Sequence, residues 1–208
     1  MIRMLLLASL LVPEILGAAG EPVVLVLGDS LSAGYGLPRE RGWVRLLDQR
    51  LNELGYPHRA VNASISGDTT ASGLTRLPSL LERHKPEVLV IQLGANDGLR
   101  GLGFEEIDAN LTRLVRLGRE AGVQVLLVGI RLPPNYGAAY IERFQALFPA
   151  VAAREQVPLV PRLLAGVADH WELMQADGLH PIGDAQPQLL DNVWSGLEPL
   201  IGVPSNAH

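Results

Sequence analysis

The sequence predicts an α/β fold: a three-layer sandwich with a five-stranded parallel sheet between two layers of helices, in one domain. Three observations predict it. Continuous apolar runs, PVVLVL at 22–27 and the runs at 88–93 and 123–130, read as strands buried on both faces. Longer stretches with apolar residues at helical spacing lie between them. The two kinds alternate, and a β-α-β-α order buries its apolar faces as a parallel sheet covered by crossover helices. At 208 residues, 48% of them hydrophobic, the chain is long enough for one well-cored domain and short for two.

In chain order, the first segment reads as an export signal rather than as part of the fold. Arg3 precedes the apolar run MLLLASLLV (4–12), and Gly17-Ala18-Ala19-Gly20 offers small residues for cleavage. The run is shorter than the ~20 apolar residues that span a bilayer. Residues 1–20 are thus expected to leave, and 21–208 to form the domain. Strand 22–27 follows. Residues 43–54 carry apolar side chains at 43, 44, 46, 47, 51 and 54, which suits a helix stopped by Gly55-Tyr56-Pro57. A short strand is expected at 59–63, then a helix over 70–83 with Leu74, Leu77, Leu80 and Leu81 on one face. After the strand at 88–93, residues 104–121 form the longest helix, with Ile107, Leu111, Leu114 and Val115 in register and Gly122 ending it. The strand at 123–130, a helix over 138–153, a short strand at 157–160 and a closing helix over 186–200 complete the expected pattern.

Composition excludes several functions. A net charge of −5 with no basic run argues against nucleic acid or an anionic membrane surface as partner. The absence of cysteine rules out disulfides, thiolate nucleophiles, Cys-ligated zinc and a lipid-anchored N-terminal cysteine.

Ligands of open α/β sheets sit outside the carboxyl ends of the strands, so those ends hold the candidate site. They carry GDS with Ser30, NASISGDT with Gly67, LGAND with Asn96, IRLPPNYG, and further on DGLHP with Asp177 and His180. Taken singly, each has an ordinary explanation. Ser30 suits a helix cap or turn, and its Gly-flanked strand end would also suit a phosphate loop. However, no GxGxxG or Walker lysine is present, and Ser32 stands where a G-x-S-x-G elbow needs glycine. Gly67 suits a turn requiring positive φ, or a backbone N–H open to a substrate oxygen. Asn96 suits a turn, or an amide donor to an oxyanion. For His180, a carboxylate three residues upstream can accept from Nδ1–H and aim Nε2 at a nucleophile. Asp29, Asp97 and Asp177 compete for that orienting role, and only Asp177 is tied to a histidine by sequence. His58, His84, His170 and His208 have no such local partner and read as exposed or structural.

With these residues assembled, the chain resembles the SGNH (GDSL-type) hydrolases. Ser30, Gly67, Asn96 and His180 are the residue types, in order, that name that family. The blocks GDSLSAGYG, NASISGDT, LGANDGLR, IRLPPNYG and DGLHP look like those of its bacterial periplasmic TesA-like branch of thioesterases, lysophospholipases and arylesterases. The resemblance runs from about residue 23 to 200. It implies a flavodoxin-like sandwich, Ser30 as nucleophile, His180 as base with Asp177 as its partner, and an oxyanion hole from the Ser30 and Gly67 N–H groups and the Asn96 side chain. The implied function is a serine esterase acting on small-molecule acyl esters or thioesters, exported to the periplasm or beyond, monomeric, without metal or cofactor and without stable membrane insertion.

The loop at 131–137 either shapes the acyl site, with Leu132, Pro133 and Tyr136 as substrate contacts, or is a plain crossover. No long amphipathic lid is evident, which favours short or medium acyl chains or dispersed single-chain lipids. Activity is expected to fall in acid as His180 takes up a proton. The competing readings are a flavodoxin-type cofactor-binding module, an acyl-ligand binder on an inactive hydrolase scaffold, and, within hydrolases, a carbohydrate acetyl esterase.

Overall fold

The structure, a computed structural model, describes residues 20–204; the export segment expected over 1–20 therefore lies, except for Gly20, outside the described residues. Five parallel strands form one sheet in the order β2-β1-β3-β4-β5: β1 Val23–Gly28, β2 Arg59–Asn62, β3 Val88–Gln92, β4 Gln124–Val128 and β5 Leu159–Val160. Every residue of β1 and β3 is buried, as expected for apolar runs without alternation.

The longer helices are α2 Trp43–Glu53, α3 Thr70–His84, α5 Phe104–Glu120, α6 Ala138–Glu155 and α7 Gln186–Leu197. Helix α2 packs on β2 and α7, while α5 packs on α3 and α6, so the helices form one layer on each face of the sheet. Each turns its apolar stripe inward: Trp43, Leu47 and Leu51 from α2, Ile107, Leu111 and Leu114 from α5, Phe144 and Phe148 from α6, Leu189, Val193 and Leu197 from α7. Fully burying one such side chain is worth ~1.5–3 kcal/mol, and this shared core fixes where the strands end.

The differences from expectation have local causes. Helix α6 runs past 153 to Glu155 and stops at Gln156 in the left-handed conformation (φ 53°), a cap that no glycine announces. Two short helices, α1 Ser30–Ala33 and α4 Ala95–Leu99, were not expected, because four or five residues show no helical period. Both start at the carboxyl end of a central strand, and the sheet order 2-1-3-4-5 puts the topological switch point between β1 and β3, the two strands that carry them.

Candidate active site

Strand β1 ends at Gly28, which is paired with Gln92 at the end of β3. A Cβ on Gly28 would stand 2.8 Å from the Ser32 side chain and 2.9 Å from Gln92 Oε1, so only glycine lets the chain turn here. Asp29, not Ser30, caps α1: its Oδ1 accepts the Leu31 N–H at 3.0 Å. Ser30 is therefore the first residue of the helix, where a backbone N–H has no intrahelical acceptor. Beneath it, Gln92 Nε2 donates to Asp29 Oδ1 at 3.2 Å and the Ser32 hydroxyl donates to Gln92 Oε1. Asp29 is fully buried, and its Oδ2 has no hydrogen-bond partner. Burial pushes its carboxyl up to about 6, against the pull of the Leu31 and Gln92 hydrogen bonds and of the His180 charge.

The long connection from β5 to α7 brings in the imidazole. Met174 and Pro181 form an antiparallel bridge, and the intervening turn passes Gly178 at φ 65°. His180 Nε2 lies 2.8 Å from Ser30 Oγ, across 150 positions of sequence. His180 Nδ1 lies 2.7 Å from Asp177 Oδ2. The other oxygen, Oδ1, accepts the backbone N–H groups of Leu179 (2.9 Å) and His180 (3.0 Å). Burial alone would raise Asp177, but these hydrogen bonds from the ring and backbone outweigh it and lower the carboxyl to about 2. Tyr35 lies beside the imidazole, with ring centroids 4.6 Å apart.

Gly67 sits at φ 87° in the turn closed by the Asp68 N–H bond to Ile65 O, a conformation that suits glycine. Arg76 of α3 holds this loop: its guanidinium binds the Asp68 carboxylate and donates to Ala63 O at 2.8 Å. Asn96 is the second residue of α4. One of its amide protons goes to Asp68 O, with Nδ2 2.9 Å away, which leaves the second free to point elsewhere. Its neighbour Asp97 is fully buried and accepts the Thr70 N–H at 2.9 Å and the Thr70 hydroxyl, and Asn110 donates to that same hydroxyl at 3.0 Å. Of the three competing aspartates, only Asp177 touches the imidazole: Asp29 caps α1 and Asp97 ties α4 to α3.

Ser30, Asn96 and His180 line a cleft of about 300 Å³ whose other walls are largely apolar, among them Leu99, Ile130, Leu132, Pro133 and Leu164. Tyr136 is not among the lining residues; its hydroxyl donates to Leu99 O at 2.9 Å and so props the wall from behind. Elsewhere, His58 is buried beside Glu87, and His170 does have a local carboxylate, Glu172, with which it forms an exposed pair. Sequence reasoning missed Gln92 and Thr70 because their partners are side chains far along the chain, and Arg76 because its partners, the Asp68 carboxylate and Ala63 O, lie across a loop whose shape leaves no spacing to read. Among the described residues, no cluster of three or more His, Cys, Asp or Glu side chains could hold a metal ion, and no helix is long and apolar enough to cross a membrane.

A sheet of this order, with a hydroxyl in hydrogen-bond reach of an imidazole–carboxylate pair at its carboxyl rim, has the arrangement of an α/β/α hydrolase, although Gly67 is not among the residues lining the cleft. The chain belongs to the GDSL-like Lipase/Acylhydrolase family, which it matches over residues 26–185. It is 53% identical over 183 residues to Esterase TesA of Pseudomonas aeruginosa, covering 88% of this chain and 91% of that protein. It is 42% identical to Thioesterase 1/protease 1/lysophospholipase L1 of Escherichia coli K12, covering 90% of this chain and 89% of the relative. A crystal structure of TesA superposes with a TM-score of 0.84 at 54% identity, covering 86% of this chain and 99% of the other.

Proposed function

We propose that the protein hydrolyses acyl esters and thioesters of small molecules through an acyl-enzyme on Ser30. The observation that carries this reading is the unbroken line from Asp177 through His180 to the Ser30 hydroxyl, at 2.7 and 2.8 Å, on the wall of an apolar cleft. His180 Nε2 takes the Ser30 proton as Oγ attacks the acyl carbonyl, a transfer worth ~10²–10⁴-fold in rate. Asp177 holds the imidazole in the tautomer that leaves Nε2 free to accept and stabilises the imidazolium that forms. The Ser30 and Gly67 N–H groups and the free Asn96 amide proton receive the oxyanion, each such donor being worth ~3 kcal/mol of barrier. The departing alcohol or thiol takes the proton from His180. Water, activated by the same imidazole, then releases the acid and restores the Ser30 hydroxyl.

The acyl chain lies along Leu132 and Pro133, and each methylene buried there gains ~0.8 kcal/mol until the cleft is full. The names of the relatives support thioesters, oxygen esters and lysophospholipids as the substrate range. The protein acts as an exported, monomeric domain after residues 1–20 are removed, with no cofactor. Hydrolysis of p-nitrophenyl esters from C2 to C16, run beside Ser30→Ala, tests the reading. The rate should rise with chain length to a plateau and vanish in the variant. Wild-type turnover by Ser30→Ala would refute it.

A further inference from the structure

The sheet cannot by itself bring His180 to Ser30. Ser30 follows a central strand, whereas His180 hangs on a long connection between the two-residue edge strand β5 and α7 that holds only short 3-10 turns and one isolated bridge. The geometry points to Gln175 as the positioning residue that sets the distance between them, an inference that rests on the proposed roles of Ser30 and His180.

Gln175 faces both partners. On the histidine side, its backbone N–H donates to His180 O at 2.7 Å and its carbonyl accepts the Gly178 N–H at 2.9 Å, closing the turn that carries Asp177 and His180. Its side-chain amide then reaches across to the nucleophile side. Nε2 donates to Pro181 O at 3.0 Å and to Tyr35 O at 2.8 Å. Tyr35 is bound in turn to the nucleophile, its N–H donating to Ser30 O at 3.1 Å, while its ring lies against the imidazole. The carboxamide also lies against Gly36, where a Cβ would come within 2.3 Å of Gln175 Oε1. The result is a closed circuit: Ser30, Tyr35, Gln175, His180 and back to Ser30.

Two other ties join the same segments, both farther from the reacting atoms. Arg41 pairs with Asp184 in a solvent-exposed ion pair, and the Trp43 N–H donates to Gln186 Oε1 at 3.0 Å at the start of α7. The exposed pair is worth little, and the second tie anchors the helix rather than the turn. Both protons of the Gln175 amide are committed, one to each side of the catalytic gap. A side chain of the same size that cannot donate therefore frees the two loops from each other while keeping the packing.

A displacement near 1 Å between reacting groups costs on the order of 100-fold in rate. Gln175→Met should accordingly lower kcat by ~10–100-fold with KM for a p-nitrophenyl ester and the thermal unfolding midpoint nearly unchanged. Phosphonylation of Ser30 by a small phosphonate ester should slow in parallel, because it needs the same alignment but no acyl cleft. Gln175→Glu keeps the shape and replaces the donor with an acceptor; it should fail in the same way, and it carries the test if the methionine variant does not fold. Arg41→Ala should retain the wild-type kcat. A kcat for Gln175→Met and Gln175→Glu equal to wild type would overturn the inference, as would a loss accompanied by an equal rise in KM or by a collapse of the melting point. Ser30→Ala, measured alongside, separates the two claims: an active Ser30→Ala sinks the proposed function, whereas an inactive Ser30→Ala with fully active Gln175 variants sinks only the clamp.

Discussion

Asp29→Asn should change how stability depends on pH, by an amount the structure lets one work out. Asp29 is fully buried directly before Ser30, and its carboxyl is raised from 3.8 to about 6, chiefly by desolvation. A raised carboxyl binds its proton more tightly in the folded state than in the unfolded chain. Its contribution to stability is thus complete below about pH 4 and is lost as pH rises through about 6. One pKa unit is worth ~1.4 kcal/mol, so the buried charge costs the wild type about 3 kcal/mol at pH 8 relative to strong acid. About 2 kcal/mol of that falls between pH 4.5 and 8. Asparagine keeps the acceptor for Leu31 and Gln92 and is an equally good N-cap. Its new NH₂, standing where Oδ2 has no partner, costs ~1–3 kcal/mol at every pH. The diagnostic quantity is therefore the change in the variant-minus-wild-type difference, in which titrating groups not coupled to Asp29 cancel. Urea unfolding of both proteins at pH 4.5 and 8, at one ionic strength, measures it. The difference should move in favour of Asp29→Asn by about 2 kcal/mol on going to pH 8. A difference that stays flat with pH would refute the argument that a desolvated carboxyl underlies the nucleophile turn.

Other outcomes follow from the same geometry. Asp177→Asn should lower kcat by ~10³–10⁴-fold, because the amide favours the wrong histidine tautomer; steady-state kinetics with a p-nitrophenyl ester would show it. Asp177 is lowered to about 2, below its ordinary 3.8, so its stabilising contribution is complete above about pH 4 and is lost as pH falls towards 2. The stability advantage of wild type over Asp177→Asn should consequently shrink as pH falls from about 4 towards 2, which denaturant melts across that range would show. Gly28→Ala should destabilise by ~1–3 kcal/mol and cut turnover, since its methyl group drives Ser32 and Gln92 from beneath Ser30; denaturant melts and rates read both. Thr70→Val removes the hydroxyl from buried Asp97 and should cost ~1–3 kcal/mol. It should also slow acylation by loosening the helix that presents Asn96, while the Ser30–His180 pair stays intact.

The framework of the fold was legible because buried parallel strands need unbroken apolar runs and covering helices need a 3.6-residue period; β1, β3 and α5 show these plainly. The site was legible at its ends for a different reason: GDS, LGAND and DGLHP are short and follow strands, and Asp177 and His180 are local to each other. What stayed hidden was the support. Gln92 reads as the last residue of a strand, Arg76 as one more charge on a helix, and Gln175 as a loop glutamine. Apart from the Arg76–Asp68 ion pair, their partners are backbone carbonyls or side chains tens of positions away, and a carbonyl leaves no trace in a sequence. In the loop at 131–137, Leu132 and Pro133 line the cleft, while Tyr136, expected to offer apolar contact, is not among the lining residues and donates its hydroxyl to Leu99 O.

The central claim is that the hydroxyl of residue 30 carries the acyl group between two half-reactions. Acid quenching of the enzyme during turnover of a p-nitrophenyl acyl ester, followed by peptide mass spectrometry, tests it most directly. The account predicts one acyl group on the peptide containing Ser30, absent when His180 is replaced by alanine. An acyl group found on another residue, or full turnover with no covalent intermediate at any quench time and no burst of p-nitrophenol, would contradict it.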